Sequence, residues 1–210
     1  MTEFSALPAR RLTTKALACR RGDRLLFGGI DLDIGPGEAL VLTGPNGAGK
    51  SSLLMCLAGL IASEGEIGWH GRDEDERPGA DIHLLSHLPA LKPGLGVGDN
   101  LRFWTDLNGG DRSLIAPALE AARLGHATRL RAGLLSAGQT RRLSLCRLLV
   151  APRPVWLLDE PTSALDKQGD AWVTGLIDAH LAAGGLAVIA THLPLALAAK
   201  TWALALGEAA

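Results

Sequence analysis

The residues Gly44-Pro45-Asn46-Gly47-Ala48-Gly49-Lys50-Ser51, followed by Ser52, carry the pattern GxxxxGK[ST]. The chemistry this spacing suits is the holding of a polyphosphate. Glycines let successive backbone N–H groups turn inward with no side chain in the way, and a helix starting at the end of the loop adds its positive pole. Lys50 has the reach for the outer phosphates, and the Ser51 hydroxyl is a hard oxygen donor suited to Mg2+. A Gly-rich structural turn is the bland alternative; the apolar strand before the loop and the apolar helix after it favour the phosphate reading. Further along, Val155-Trp156-Leu157-Leu158 runs into Asp159-Glu160. A buried parallel strand delivers its last residues to the carboxyl edge of the sheet, where ligands bind in open α/β folds. Asp159 would hold Mg2+ there, and Glu160 is placed to polarise a water or take its proton. Taken alone, the pair also reads as a solvated acidic corner.

The elements that must position these groups follow from periodicity. Ile30, Leu32 and Ile34 alternate with Asp31 and Asp33, the pattern of a half-buried strand, and Gly35-Pro36-Gly37-Glu38 turns the chain. Ala39 to Thr43 is an apolar strand leading into the loop, and a helix is expected from Ser51 to Leu60. Residues 82–85 predict a short strand. Helices are expected over Asp99 to Asn108, Ser113 to Leu124, Ser136 to Ala151 and Lys167 to Ala183, with buried strands at Val155 to Leu158 and Leu186 to Ala190. Strands alternating with helices predict an α/β fold on a largely parallel sheet, preceded by an antiparallel section and interrupted by a helical insert over about residues 88–151. Arg72 to Arg77 is expected to be a solvated loop.

Composition excludes several classes. The 210 residues, 47% hydrophobic and 20% charged, predict one globular domain of 1–210 with its own core. No apolar run approaches the ~18 residues of a membrane span, and the start of the chain lacks a secretory leader, which points to the cytoplasm. Three dispersed cysteines, Cys19, Cys56 and Cys146, read as small buried side chains rather than disulfides or a metal site. A net charge of −1 calls for no nucleic acid. Six bases among the first residues (Arg10, Arg11, Lys15, Arg20, Arg21 and Arg24) read as a solvated face, with an anionic partner as the alternative.

Leu135-Ser136-Ala137-Gly138-Gln139 is the discriminating stretch. Ser136 is a strong N-cap, and Ser136-x-x-Gln139 is a capping box. The same Ser, Gly and helix start also suit a second anion site, and spacing does not choose between the two. Together these residues resemble an ATP-binding-cassette (ABC) ATPase. LSAGQTRRLSLCRLLVAPRPVWLLDEPTSALD is similar to that family's signature, following helix, Walker B strand and D-loop. The resemblance covers residues of about 15 to 206. It implies a P-loop cassette with a RecA-like core, an N-terminal antiparallel β-subdomain and an inserted helical subdomain. It implies a nucleotide loop of Gly44 to Ser52, Mg2+ on Ser51 and Asp159, and catalysis by Lys50, Glu160 and His192, the last as the switch histidine. It further implies a D-loop of Ser163, Ala164, Leu165 and Asp166. Leu135 to Gln139 would serve the ATP of a second copy in a head-to-tail dimer, and hydrolysis would move integral membrane subunits.

Two places depart from the family pattern. The aromatic that usually stacks on adenine is replaced by Cys19-Arg20-Arg21-Gly22 in a chain without Tyr; the Arg21 guanidinium is the substitute. Where a Q-loop Gln is usual, the chain has Ser86-His87-Leu88-Pro89, with Leu88 at the Gln position and His87 the nearest polar group. The signature, the segment SHLPALKPGLGVGDNLRFW and the short C-terminus look most like the ATPase subunit of bacterial cytochrome c maturation, the haem exporter. This implies placement on the cytoplasmic face of the inner membrane and no direct haem binding. Another importer or exporter ATPase is the alternative, and a soluble non-transport ABC protein is disfavoured by the single cassette and the short spacing between Lys50 and Asp159. Leu101, Phe103 and Trp104 are either a membrane-partner contact, by resemblance, or core.

Overall fold

The computed structural model describes residues 4–72 and 79–207. The chain order is β1 (Arg11–Arg21), β2 (Arg24–Ile34), β3 (Glu38–Thr43), α1 (Lys50–Leu57), β4 (Glu64–His70) and β5 (Ile82–Leu85). Then come α2 (Val97–Leu107), α3 (Ile115–Ala121), α4 (Ala137–Val150), β6 (Val155–Asp159), α5 (Lys167–Ala182), β7 (Leu186–Ala190) and β8 (Lys200–Ala205). Two compact units emerge. The smaller holds His87–Pro152 and Pro161–Val173; the larger runs through Ser86 and takes up Arg153–Glu160 and the chain from Thr174.

In the larger unit β1 pairs antiparallel with β2 on one side and β4 on the other. The sequence concealed β1 because its apolar alternation changes phase. Leu12 and Thr14 face inward, the pairing shifts at Ala16 (φ 49), and Leu17 and Cys19 then face inward. A bulge re-aims every later side chain, so a period-2 pattern breaks there. The second sheet has the order β5-β6-β7-β3-β8, with every pairing parallel. All residues of β6 and β7 are buried, as their unbroken apolar runs require. The edge strand β8 is mostly exposed, so no buried face marked it in the sequence. Helix α1 buries Leu53, Leu54, Cys56 and Leu57 in a core shared with Leu12 and Leu17 of β1 and with Leu157 and Val188 of the parallel sheet. It ends at Leu57, short of the expected Leu60, because Gly59 turns into the left-handed region (φ 70).

Two expectations about charge are corrected. Arg10 is buried, not on a solvated face, and its Nε donates to Asp81 at 2.8 Å. Arg72, expected in a solvated loop, is half-buried and donates to both oxygens of Asp81, Nη2 at 2.6 Å; the rest of that loop, 73–77, lies outside the described residues. Burial would raise the Asp81 pKa, but the two arginines overcome it and hold the carboxyl below its usual range. The other five bases of the first segment are exposed. All three cysteines are buried and free.

In the smaller unit α4 is buried along most of its length. Helix α2 begins two residues before its expected start, since the Val97 and Gly98 amides are taken by Leu130 O and Thr128 O. The expected helix over 113–124 is shorter: a 3-10 turn at Arg112–Leu114 leads in, and Arg123 (φ 60) ends it. Leu101 is core. The adjacent aromatics part company: Trp104 is half-buried under the Arg147 guanidinium, 3.6 Å from its ring, while Phe103 is exposed with Lys92 above it.

Candidate nucleotide site

Strand β3 ends at Thr43 and the chain makes the loop 44–49 before α1. Gly44, Gly47 and Gly49 have φ of 127, 80 and 103, conformations that L side chains rarely adopt. Each glycine has its own reason. A Cβ on Gly44 would stand 2.1 Å from the Leu206 carbonyl oxygen, and one on Gly49 would press on Phe27 at 3.0 Å. A Cβ on Gly47 would meet nothing within 4 Å. Gly44 and Gly49 are therefore required by packing, whereas Gly47 faces open space and is required only by its backbone conformation. Gly49 caps α1 without any side-chain hydrogen bond, and no acidic residue lies in the first turn. The positive helix end is thus offered to a ligand rather than neutralised internally.

Lys50 is 7% exposed, and its Nζ donates to Gly44 O at 2.7 Å and Pro45 O at 3.1 Å, which seats the ammonium inside its own loop. Pro45, Asn46 and Ser51 are exposed, Ala48 is buried, and Ser52 is half-buried. The parallel register brings the ends of β3, β6 and β7 to one edge of the sheet. Asp159 closes β6 and is 6% exposed. A serine hydroxyl with a carboxylate is an oxygen-only donor set, which fits a hard divalent cation.

Glu160 leaves β6 in the left-handed region (φ 48), its amide held by Ala190 O at 2.8 Å. That turn aims its carboxylate at the next strand's end. There Glu160 Oε2 and His192 Nδ1 stand 2.8 Å apart, with Glu160 17% and His192 58% exposed. Thr191, fully buried, holds the bend: its amide donates to Leu42 O at 3.1 Å, its hydroxyl donates to Leu193 O at 3.2 Å, and it accepts from Leu193 N at 3.0 Å. Sequence reading had Thr191 only as the residue before His192 and missed the hydroxyl's part in the turn, although a Thr at that place is the available signal for it. It also missed Phe27 and Leu206, which no local pattern connects to the loop. Arg21 is exposed, paired with Arg24 at the end of the β1–β2 hairpin.

The remaining expected residues lie in the smaller unit. Ser136 caps α4: the Gln139 amide donates to Ser136 Oγ at 3.2 Å, and the Ser136 amide donates to Gln139 Oε1 at 2.9 Å. The capping box is therefore formed. A Cβ on Gly138 would stand 2.9 Å from the Ala164 carbonyl oxygen. Leu135 is half-buried and Ala137 exposed. Along 163–166, Ser163 and Leu165 are half-buried, Ala164 takes φ 63, and Asp166 accepts from Gly169 N at 2.8 Å and Arg142 Nη2 at 3.0 Å. The Gly169 amide, then Arg142, holds the Asp166 carboxyl below its usual pKa. His87 and Leu88 are both exposed just after β5.

Known proteins place this geometry in a family. Residues 27–163 match the ABC transporter family. The chain is 50% identical over 191 residues to the cytochrome c biogenesis ATP-binding export protein CcmA of Nitrobacter winogradskyi, covering 90% of this chain and 96% of that one. It is 46% identical over 193 residues to the protein of the same name from Agrobacterium fabrum, covering 89% and 91%. An ABC transporter ATP-binding protein of Pyrococcus furiosus superposes with a TM-score of 0.81 at 23% identity, over 94% of this chain and 98% of that one, a likeness of fold. The chain belongs to the ABC transporter family, as one of its ATPase cassettes.

Proposed function

We propose that this cassette hydrolyses ATP for the export complex of cytochrome c biogenesis, the haem exporter, and that its nucleotide site is the one assembled at the carboxyl edge of the parallel sheet. The observation that carries the residue assignment is the 2.8 Å pair of Glu160 and His192 on the edge that also bears the glycine loop. The names of the relatives, at half identity over nine-tenths of the chain, support the export system.

The amides of residues 47–52 and the N-terminus of α1 bind the phosphates. Lys50 exchanges its two carbonyl acceptors for phosphate oxygens. Ser51 and Asp159 would hold Mg2+, which when bound neutralises phosphate charge. Glu160 accepts the proton of the attacking water, and His192, hydrogen-bonded to it, orients that carboxylate and faces the γ-phosphate. Arg21 stacks on adenine. A family that moves cargo across membranes works with membrane subunits, and no helix among the described residues is long and apolar enough to span one. The cassette therefore sits peripherally on the cytoplasmic face, without contacting haem itself or nucleic acid. His87 and Leu88, exposed beside β5, take the place of the usual Q-loop amide in sensing the partner. Residues 135–139 and 163–166 act on the ATP of a second copy in a head-to-tail pair.

ATP turnover by the complex tests this reading. Lys50→Ala should abolish turnover with an unchanged circular dichroism spectrum. Glu160→Gln should retain ATP binding and lose turnover by at least about a hundredfold; near wild-type turnover in either variant overturns the assignment.

A further inference from the structure

Two nucleophilic side chains that the nucleotide chemistry does not use meet beneath the phosphate-loop helix. Cys19 lies on β1 and Cys56 on α1, each 2% exposed. Their sulfurs converge on one acceptor, the Ala62 carbonyl oxygen, at 3.9 Å from Cys19 Sγ and 4.0 Å from Cys56 Sγ. That carbonyl belongs to the short turn between α1 and β4, where Gly59 takes φ 70 and Leu60 is 64% exposed. The thiols lie in the core shared by β1 and α1, with this turn's Ala62 carbonyl over both sulfurs. Burial, then the neighbouring Cys19 thiol, pushes the Cys56 pKa up to about 12, so the Cys56 sulfur rests as a thiol while the turn is closed. Cys146, on α4, is fully buried and hydrogen-bonded to Ala118 O and Arg142 O; it is the internal control.

We propose that Cys19 and Cys56 are a reversible dithiol–disulfide pair, oxidised by a small-molecule disulfide when the Ala58–Ala62 turn opens, and that the bond pins the phosphate-loop helix to β1. The step balances: Cys19–SH and Cys56–SH with RS–SR give the Cys19–Cys56 disulfide and two RSH. A thiolate of the opened pair attacks the reagent, expelling one RS− that takes up its proton. The second thiol then displaces the other RS− from the mixed disulfide. The protein pair loses two electrons and the reagent gains them. The crosslink closes a loop of about 37 residues, which restricts the unfolded chain.

The experiment incubates the full chain with oxidised glutathione, quenches with acid, and counts free thiols after unfolding. Wild type should fall from three thiols to one while remaining monomeric on a non-reducing gel. Peptide mapping should recover a Cys19–Cys56 pair, and the thermal midpoint should rise by several degrees, reversibly with dithiothreitol. Cys146→Ser should fall from two thiols to none. Cys56→Ser and Cys19→Ala, either of which suffices if the other fails to fold, should form no internal disulfide. Three thiols persisting in the wild type, stable mixed disulfides with glutathione in place of the pair, a bridge that includes Cys146, or a bond that leaves the midpoint unmoved would each overturn the proposal.

Discussion

Gly44 and Gly47 share a left-handed backbone, yet they answer to different demands. At Gly44 a Cβ collides with the Leu206 carbonyl at 2.1 Å. Gly44→Ala should therefore cost about 3 kcal/mol or more from strain and overpacking together, read as a lower urea midpoint. At Gly47 the added carbon meets no protein atom. Gly47→Ala should cost only about 1–2 kcal/mol of stability from its φ of 80. Its methyl group stands where phosphate must approach, so affinity for a fluorescent ATP analogue should fall by at least tenfold. Equal effects of the two substitutions on stability would contradict this division. The motif flags both glycines alike; only the packing separates them.

At the scale of elements, two bends decide where chemistry is aimed. The Thr191 hydroxyl clamps the end of β7 through Leu193 and so fixes the chain carrying His192. Thr191→Val, nearly the same volume without the hydroxyl, should lower kcat for ATP roughly tenfold with little change in KM, and Thr191→Ser should restore it. A KM effect alone, or failure of Ser to rescue, would assign Thr191 to packing. The second bend is the start of α4. Ser136→Ala removes one half of the capping box and should cost about 1 kcal/mol in thermal or urea unfolding. If Ser136 also serves the second copy's ATP, turnover should fall further than that loss of stability explains. Elements with an unbroken periodicity were legible in the sequence: β6, β7 and α4 stand within a residue or two of expectation. Strand β1 was not, because the bulge at Ala16 shifts its inward face, and β8 was not, because an exposed edge strand needs no apolar alternation.

For the whole molecule, a buried imidazole sets an acid limit. His180 is fully buried, stacked on Trp156 with ring centroids 3.9 Å apart, and its Nε2 stands 3.3 Å from Leu186 O. Burial lowers its pKa from 6.5 to about 4. The unfolded chain therefore takes up a proton between those values that the folded chain refuses. The neutral histidine costs nothing above pH 6.5, and stability is lost as pH falls from 6.5 toward 4, by about 3 kcal/mol in all. His180→Phe keeps a ring against Trp156 and cannot titrate, so its urea midpoint should be flatter over that window. An identical acid limb would exclude His180 as the cause. At the same scale, the proposed head-to-tail pair predicts that Glu160→Gln gathers an ATP-dependent dimer on gel filtration. Mixing Lys50→Ala with Ser136→Arg should assemble one intact composite site and recover turnover that neither variant has alone.

The sequence by itself determined the chemistry on offer. GxxxxGK[ST] and the Asp-Glu pair closing an apolar strand are local patterns, set by what a phosphate loop and the carboxyl end of a buried strand require, while His192 was legible only through the family resemblance. It also determined the family, since several such patterns recur in register along one chain. Only the tertiary structure decided which groups meet. Glu160 and His192 are far apart in the chain and touch because β6 and β7 are parallel neighbours. Arg10, legible only as one charge among six, is buried against Asp81, and Cys19 meets Cys56 under one carbonyl. Local sequence states what each residue can do within a few positions of itself. Contacts between distant segments are chosen by how sheets and helices pack, and that choice leaves no periodic trace at either partner.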